Sequence, residues 1–224
     1  RPFAGKVTLP SWNIHIAQAE RLLSDVGARR LGVRDANAFV FGNLVPDVYV
    51  GYMVPNLDEK IDYCTTHFAE PDSIPCPRAD EFWKTYIDAF DAEGEPVSDI
   101  VLGAWVHLAA DGLWNSKVRA FARKNGLRPG EELRIRKQRD FDTFGRTFEL
   151  RYRLRVDDRL LDAAECFPQY PVHADAVAKA VEVANDIAER NTLEPGEHAV
   201  YDLLDERFFK ETFEETIRLA ERKL

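Results

Sequence analysis

The sequence is poor in the residues that staple small folds together. Its three cysteines, Cys64, Cys76 and Cys166, are odd in number and lack CxxC spacing. A disulfide framework is thereby disfavoured, and ordinary thiols in a reducing compartment fit better. Cys64 stands three residues before His67, which leaves a thiolate ligand or nucleophile as the alternative reading of that thiol. No apolar run reaches the roughly 18 residues that a membrane-spanning helix needs. The opening residues, RPFAGKVTLP, lack the apolar core of a secretion signal, so a cytoplasmic location is expected. Repeats and low-complexity segments are absent. Positive charge is also in deficit, with 30 basic against 39 acidic residues and a net charge of -9. Such a surface repels an extended nucleic acid, although a small basic or metal-lined pocket could still hold one phosphate.

What is present is a chain of 224 residues, 45% hydrophobic and 11% aromatic, which matches one domain with a large core. Helical periodicity dominates. Ser11 is placed to cap a helix through SWNIHIAQAERLLSDVG, and Asp35 to cap a shorter one through RDANAFVFGNLVPD. In that second segment Pro46 is expected to stop the helical register before Asp47. Residues 48–78 are loop-rich, with prolines at 55, 71, 75 and 77. Helices are expected again in RADEFWKTYIDAF, in the long run VSDIVLGAWVHLAADGLWNSKVRAFARKNG, in ADAVAKAVEVANDIAERN and in DERFFKETFEETIRLAERK, with a Pro/Gly joint at 195–196. The arginine-rich segment 134–157 admits a charged helix or a hairpin, because FELRYRLRV alternates apolar and basic residues. Helix is the preferred reading there. The sum is an all-α, single multi-helix domain spanning 1–224, since alternating strand and helix signals are nowhere evident.

Histidine is scarce, at five residues, and three of the five sit in apolar or aromatic surroundings: WNIHIA, CTTHFAE and WVHLAAD. His107 and Asp111, four positions apart on a helix, share one face and could grip the same object. Asp47 and His67 would complete a set of two imidazoles and two carboxylates, a donor set suited to a divalent cation. His15 would allow a second ion, with one carboxylate shared. Spacing alone leaves the alternative open that these are separate structural histidines, because HxxxD is a weak pattern. Trp105, Trp114, Phe68 and Tyr52 are candidates for a lipid or base pocket or for helix packing. Asn115 is a candidate second donor beside the site.

Taken in order, SWNIHIAQAERLL, FVFGNLVPDVY, CTTHF and VHLAADGLWN resemble the zinc-dependent phospholipase C family, whose wider group includes the S1/P1-type nucleases. The resemblance covers residues 11 to about 117 and implies an all-helical fold around a zinc cluster that acts on phosphate esters. By the family's pattern Asp111 would bridge two metals, Asp47, His67 and His107 would complete the first, and His15 would serve the second. Two departures stand out. Trp12 is internal where the secreted enzymes use an N-terminal tryptophan, and after Asp111 the family's later His/His/Glu cluster has no match, so the chain diverges from about residue 126. One or two divalent ions are therefore expected, zinc foremost, with iron or manganese as alternatives.

The activity this implies is hydrolysis of a small phosphodiester or phospholipid headgroup by metal-activated water, with Asp47 and Asp111 as catalytic carboxylates. Peripheral lipid contact is compatible with it. The assisting cation is not identified by sequence among Lys117, Arg119, Arg123 and the basic residues of 134–155. An HD-type phosphohydrolase is disfavoured, since no histidine here is followed by aspartate. The alternative of another class is a non-catalytic helical metal-binding or interaction domain.

Overall fold

Eleven α-helices and one π-helical turn make up the computed structural model, which describes residues 12–92, 94, 96–191 and 198–224. They are α1 (Trp12–Arg21), α2 (Ala36–Gly42), α3 (Val45–Val48), α4 (Tyr63–Thr66), α5 (Ala79–Tyr86), α6 (Asp88–Ala92), α7 (Asp99–Lys124), α8 (Glu131–Gly145), α9 (Asp158–Glu165), α10 (Ala174–Arg190) and α11 (Glu206–Lys223). The π turn, Leu22–Gly27, continues α1. Among the described residues there is no strand, so the all-α expectation holds. The expected Ser11 cap and the joint at 195–196 lie outside the described residues.

Helix α7 is the axis of the domain. At about 1.5 Å per residue its 26 residues run about 39 Å. Its first half, Asp99 to Asp111, is buried without interruption, as expected of a helix surrounded by others. Helix α2 crosses it at very close range. A Cβ on Gly42 would overlap the Ile100 carbonyl, and one on Gly103 would overlap the Phe39 carbonyl and the Asn43 nitrogen. The paired glycines thus let two backbones touch, and that contact sets the height of Asn43 against α7. One hydrophobic cluster runs from Trp12 to Ala220 and takes residues from helices along the whole chain.

Capping follows the sequence where the acceptors are visible. Asp35 accepts from Asn37 N and Ala38 N, Asp157 from Leu160 N and Asp205 from Phe208 N. Two further carboxylates tie loops to helices: Asp99 accepts from Arg34 N and Asp35 N, and Asp140 from Asp202 N, Leu203 N and Leu204 N.

Two local expectations are corrected. Pro46 does not stop a helix before Asp47. It opens α3, where a missing N–H costs nothing, and so places Asp47 inside a helical turn. The arginine-rich segment is helical only to Gly145; beyond it, residues 149–157 form no regular secondary structure. The alternating pattern there is genuine, for Leu150 and Leu154 are buried while Arg151, Arg153 and Arg155 are exposed. Side chains take the place of a partner strand. Glu20 accepts from Arg151 N and Tyr152 N, while Asn185 and Asn37 each exchange two hydrogen bonds with the backbone of Leu154 and Arg155. Helix α9 lies in a segment that the sequence left unassigned.

Candidate metal centre

The five residues singled out by sequence come from four separate elements of this frame. His15 lies on α1, Asp47 on α3, His67 caps the C-terminus of α4, and His107 and Asp111 stand one turn apart on α7. All five converge, and none is more than 3% exposed.

The histidine tautomers follow from their outer partners. His107 Nδ1 is 2.9 Å from the Asn43 carbonyl oxygen, which can only accept, so the proton is on Nδ1 and the Nε2 lone pair faces inward. His67 Nδ1 is 2.7 Å from Thr66 Oγ1, and that hydroxyl donates its own hydrogen to the Tyr63 carbonyl. His67 must therefore donate from Nδ1, and its Nε2 lone pair also faces inward. The two Nε2 atoms are 3.1 Å apart. Burial pushes His67 down to about 4 and His107 well below its ordinary value, so neither supplies a proton at neutral pH to turn this contact into a hydrogen bond.

Two lone pairs pointing at one another call for a cation between them. A tetrahedral zinc with Zn–N bonds of about 2.05 Å would hold its two nitrogen ligands about 3.3 Å apart. The carboxylates extend the same polyhedron. Asp111 Oδ2 lies 3.8 Å from His67 Nε2 and 3.7 Å from His107 Nε2, and Asp47 Oδ1 lies 3.6 Å from His67 Nε2. The other oxygen of Asp111 looks the opposite way: Oδ1 is 3.4 Å from His15 Nε2, and neither atom has a hydrogen-bond partner. His15 Nδ1 is unpartnered too, and the His15 ring stacks on His107 with centroids 3.9 Å apart. Buried polar atoms left unpaired cost about 1–3 kcal/mol each. Coordination would remove that cost at His15 Nε2 and Asp111 Oδ1.

Two groups of donor atoms can each chelate an ion: His67 with His107 and Asp111, and His15 with Asp47 and His107. The donor set of three imidazoles and two carboxylates fits zinc, and iron or manganese by the same chemistry. The carboxylates differ in state. Burial, reinforced by the charge of Asp111, pushes Asp47 up to about 7. Burial alone would raise Asp111 as well, but the imidazoles of His107, His15 and His67 around it hold it below the ordinary carboxylate range.

Four residues outside the expected set shape the site. The Trp12 indole N–H donates to Asp47 Oδ2 at 3.2 Å, Asn43 and Thr66 fix the two tautomers, and Asn43 Nδ2 also holds the His15 carbonyl at 2.7 Å. Tyr63 stacks on His67 with centroids 3.8 Å apart and directs its hydroxyl to Asp111 Oδ2 at 3.4 Å. Burial raises this phenol well above its ordinary value, so it remains a neutral donor. Adjacency was the only sequence signal for these: Asn43 and Thr66 lie in the segments GNLVPD and TTHF, beside ligand candidates.

Other candidates are placed elsewhere. Asn115 donates to the Pro75 carbonyl and pins the preceding loop, while Trp105 and Trp114 are buried in the core. Phe68 packs against Phe82 and Tyr86, and Tyr52 is exposed. Lys117 pairs with Glu215 and Arg119 with Asp72. The Cys64 thiol, raised chiefly by burial and further by Asp62 and Glu70, belongs to neither chelating group. No helix among the described residues is long and apolar enough to cross a membrane.

The structure thus defines an all-helical domain with two buried His/Asp clusters able to chelate a metal ion. No family model matches the chain, and neither the curated proteins nor the solved structures contain a match to it.

Proposed function

We propose that this domain is a metal-dependent phosphoric-ester hydrolase acting on a small phosphodiester or phospholipid headgroup. The first ion would be held by Asp47, His67, His107 and Asp111, and the second by His15 with the far oxygen of Asp111. The observation that carries the reading is the pair of inward-facing Nε2 lone pairs 3.1 Å apart, flanked by a carboxylate whose two oxygens address different histidines. One divalent ion neutralises the two carboxylates. A second leaves a local charge of about +2, which suits an anionic phosphoryl group in a protein whose surface is otherwise acidic.

A divalent ion bound here supplies Lewis acidity toward the phosphoryl oxygen and makes hydroxide available from water near neutral pH. The residues of the chain do the rest. Asn43 and Thr66 keep the imidazole protons on Nδ1, so that both Nε2 atoms are permanently available. Trp12 holds Asp47 Oδ2 and leaves Oδ1 facing His67, where that oxygen would serve the first ion. Tyr63 is half-buried, so substrate would approach along its ring.

The reading is tested with protein purified without chelator. Bis(p-nitrophenyl) phosphate, p-nitrophenyl phosphate and phosphatidylcholine vesicles should include a substrate whose turnover is lost with a chelator and restored by zinc or manganese. Folded, metal-loaded protein inactive on all three would reject it. The 0–3% exposure of the five ligands would then favour the second reading, a non-catalytic metal-binding domain in which the ion stabilises the fold.

A further inference from the structure

The five ligand candidates are at most 3% exposed, so an ion or a phosphate ester reaches them only if part of the chain moves. The segment beside them is built to do so. Residues 69–78 leave the ligand candidate His67, form neither helix nor strand, and reach α5 at Ala79. Residues 70–77 exchange no backbone–backbone hydrogen bond with any described residue. Side chains of α7 hold them instead. Asn115 Nδ2 donates to the Pro75 carbonyl, Arg119 Nε to the Ile74 carbonyl and the Arg119 guanidinium also to Asp72, each at 2.7 Å. Cys76 Sγ rests 3.7 Å from Ser116 Oγ, and the Pro77 carbonyl lies so close to α7 that a Cβ on Gly112 would stand 3.0 Å from it. At the root of the segment Arg78 Nε donates to the Phe68 carbonyl at 2.7 Å and draws its two ends together.

We propose that residues 69–78 are a strap over the metal centre, and that its lifting from α7 is the step that admits the ion and the phosphate ester. The proposal rests on the metal centre assigned above and is tested without hydrolysis. Its contacts lie where they matter. The face of α7 that carries His107 and Asp111 continues one turn on in Asn115, and the strap crosses that face there. Gly112, under the Pro77 carbonyl, adjoins Asp111, and the strap begins at His67. Lifting therefore opens the centre between two of its own ligands. The ties that hold the strap are weak ones: the Arg119–Asp72 pair is at the surface, with side chains 36% and 46% exposed, and the carbonyls of Ile74 and Pro75 would turn to water when released. Ile74 and Pro77 are buried, and their apolar side chains draw the strap back.

The test turns Cys76 and Ser116 into a lock. In the full chain carrying Cys64→Ser and Cys166→Ser, Ser116→Cys brings a second thiol within reach of Cys76, and diamide closes a disulfide between strap and α7. Zinc-loaded protein is mixed with pyridylazoresorcinol, and zinc release is followed by absorbance. Expected is release at least about tenfold slower from the oxidised protein than from the same protein reduced, and about three- to tenfold faster from Arg119→Met than from wild type, with equal zinc content throughout. Wild-type release should be nearly insensitive to urea below the unfolding transition. Unchanged release from protein whose bridge is verified by mass spectrometry overturns the inference. Should the bridge not form, release from Arg119→Met at the wild-type rate overturns it. A rate that climbs with urea as steeply as global unfolding overturns it too, because the ion would then escape only from the unfolded chain. Absence of zinc from the wild type defeats the metal centre, and this inference with it. Strap-gated release from a protein inactive on every phosphate ester defeats the hydrolase reading alone.

Discussion

Acid should destabilise the metal-free protein, and bound zinc should steepen that dependence. His67 falls in the folded state from 6.5 to about 4, and His107 falls well below the same starting value, both because of burial. Their contribution is fully present above 6.5 and is lost as pH drops toward 4. Asp47 runs the other way, rising from 3.8 to about 7, so its contribution is lost as pH increases through that range. At pH 5 the unfolded chain therefore carries two protons on these imidazoles and none on Asp47, whereas the metal-free native state carries only the one on Asp47. The difference of one proton makes stability rise with pH by about 1.4 kcal/mol per unit, or about 3 kcal/mol between pH 4 and 6.5. Zinc coordinated by Asp47 expels the last proton, the difference becomes two, and the slope doubles to about 2.7 kcal/mol per unit. Urea unfolding at half-unit intervals from pH 4.5 to 6.5, with chelator and with zinc, reads both slopes. A flat or inverted metal-free slope would show that the imidazoles are not buried neutral, and equal slopes would remove Asp47 from the coordination sphere.

Three further outcomes are expected. Gly103→Ala drives a methyl into the Phe39 carbonyl and should cost about 3 kcal/mol in urea unfolding, with weakened zinc binding because the Asn43–His107 contact depends on that crossing; unchanged stability would mean the backbones can part freely. Asp111→Asn should lower zinc content by at least one ion per chain while the far-ultraviolet dichroism stays helical, and full retention of metal would refute a bridging role. Asn37→Ala frees the backbone N–H and carbonyl of Arg155 and should cost about 1–3 kcal/mol, whereas no loss would mean that the non-helical segment is held by burial of Leu150 and Leu154 alone.

The helices legible in the sequence were those with long periodic faces and visible caps, α2 behind Asp35, α7, α10 and α11. The convergence of His15, Asp47, His67, His107 and Asp111 was anticipated from the order of four short segments, while residue spacing by itself could not separate ligands from structural histidines. What escaped was tertiary in origin. Pro46 reads as a stop or a start depending on what packs around it, and here the chain turns after Gly42 and restarts at Val45. The alternation in FELRYRLRV marked where the preferred helix gives out, but nothing local reveals that Glu20, Asn37 and Asn185, all distant in sequence, supply the hydrogen bonds of the non-helical segment.

Anomalous diffraction on either side of the zinc edge, from crystals of protein prepared without chelator, tests the metal centre most directly. Expected is a peak about 2.0–2.1 Å from both His67 Nε2 and His107 Nε2, with oxygens of Asp111 and Asp47 completing the sphere and a second peak between His15 and the far oxygen of Asp111 when zinc is in excess. A map in which the His67 and His107 Nε2 atoms keep their close contact with no peak between them, under saturating zinc, would contradict the assignment.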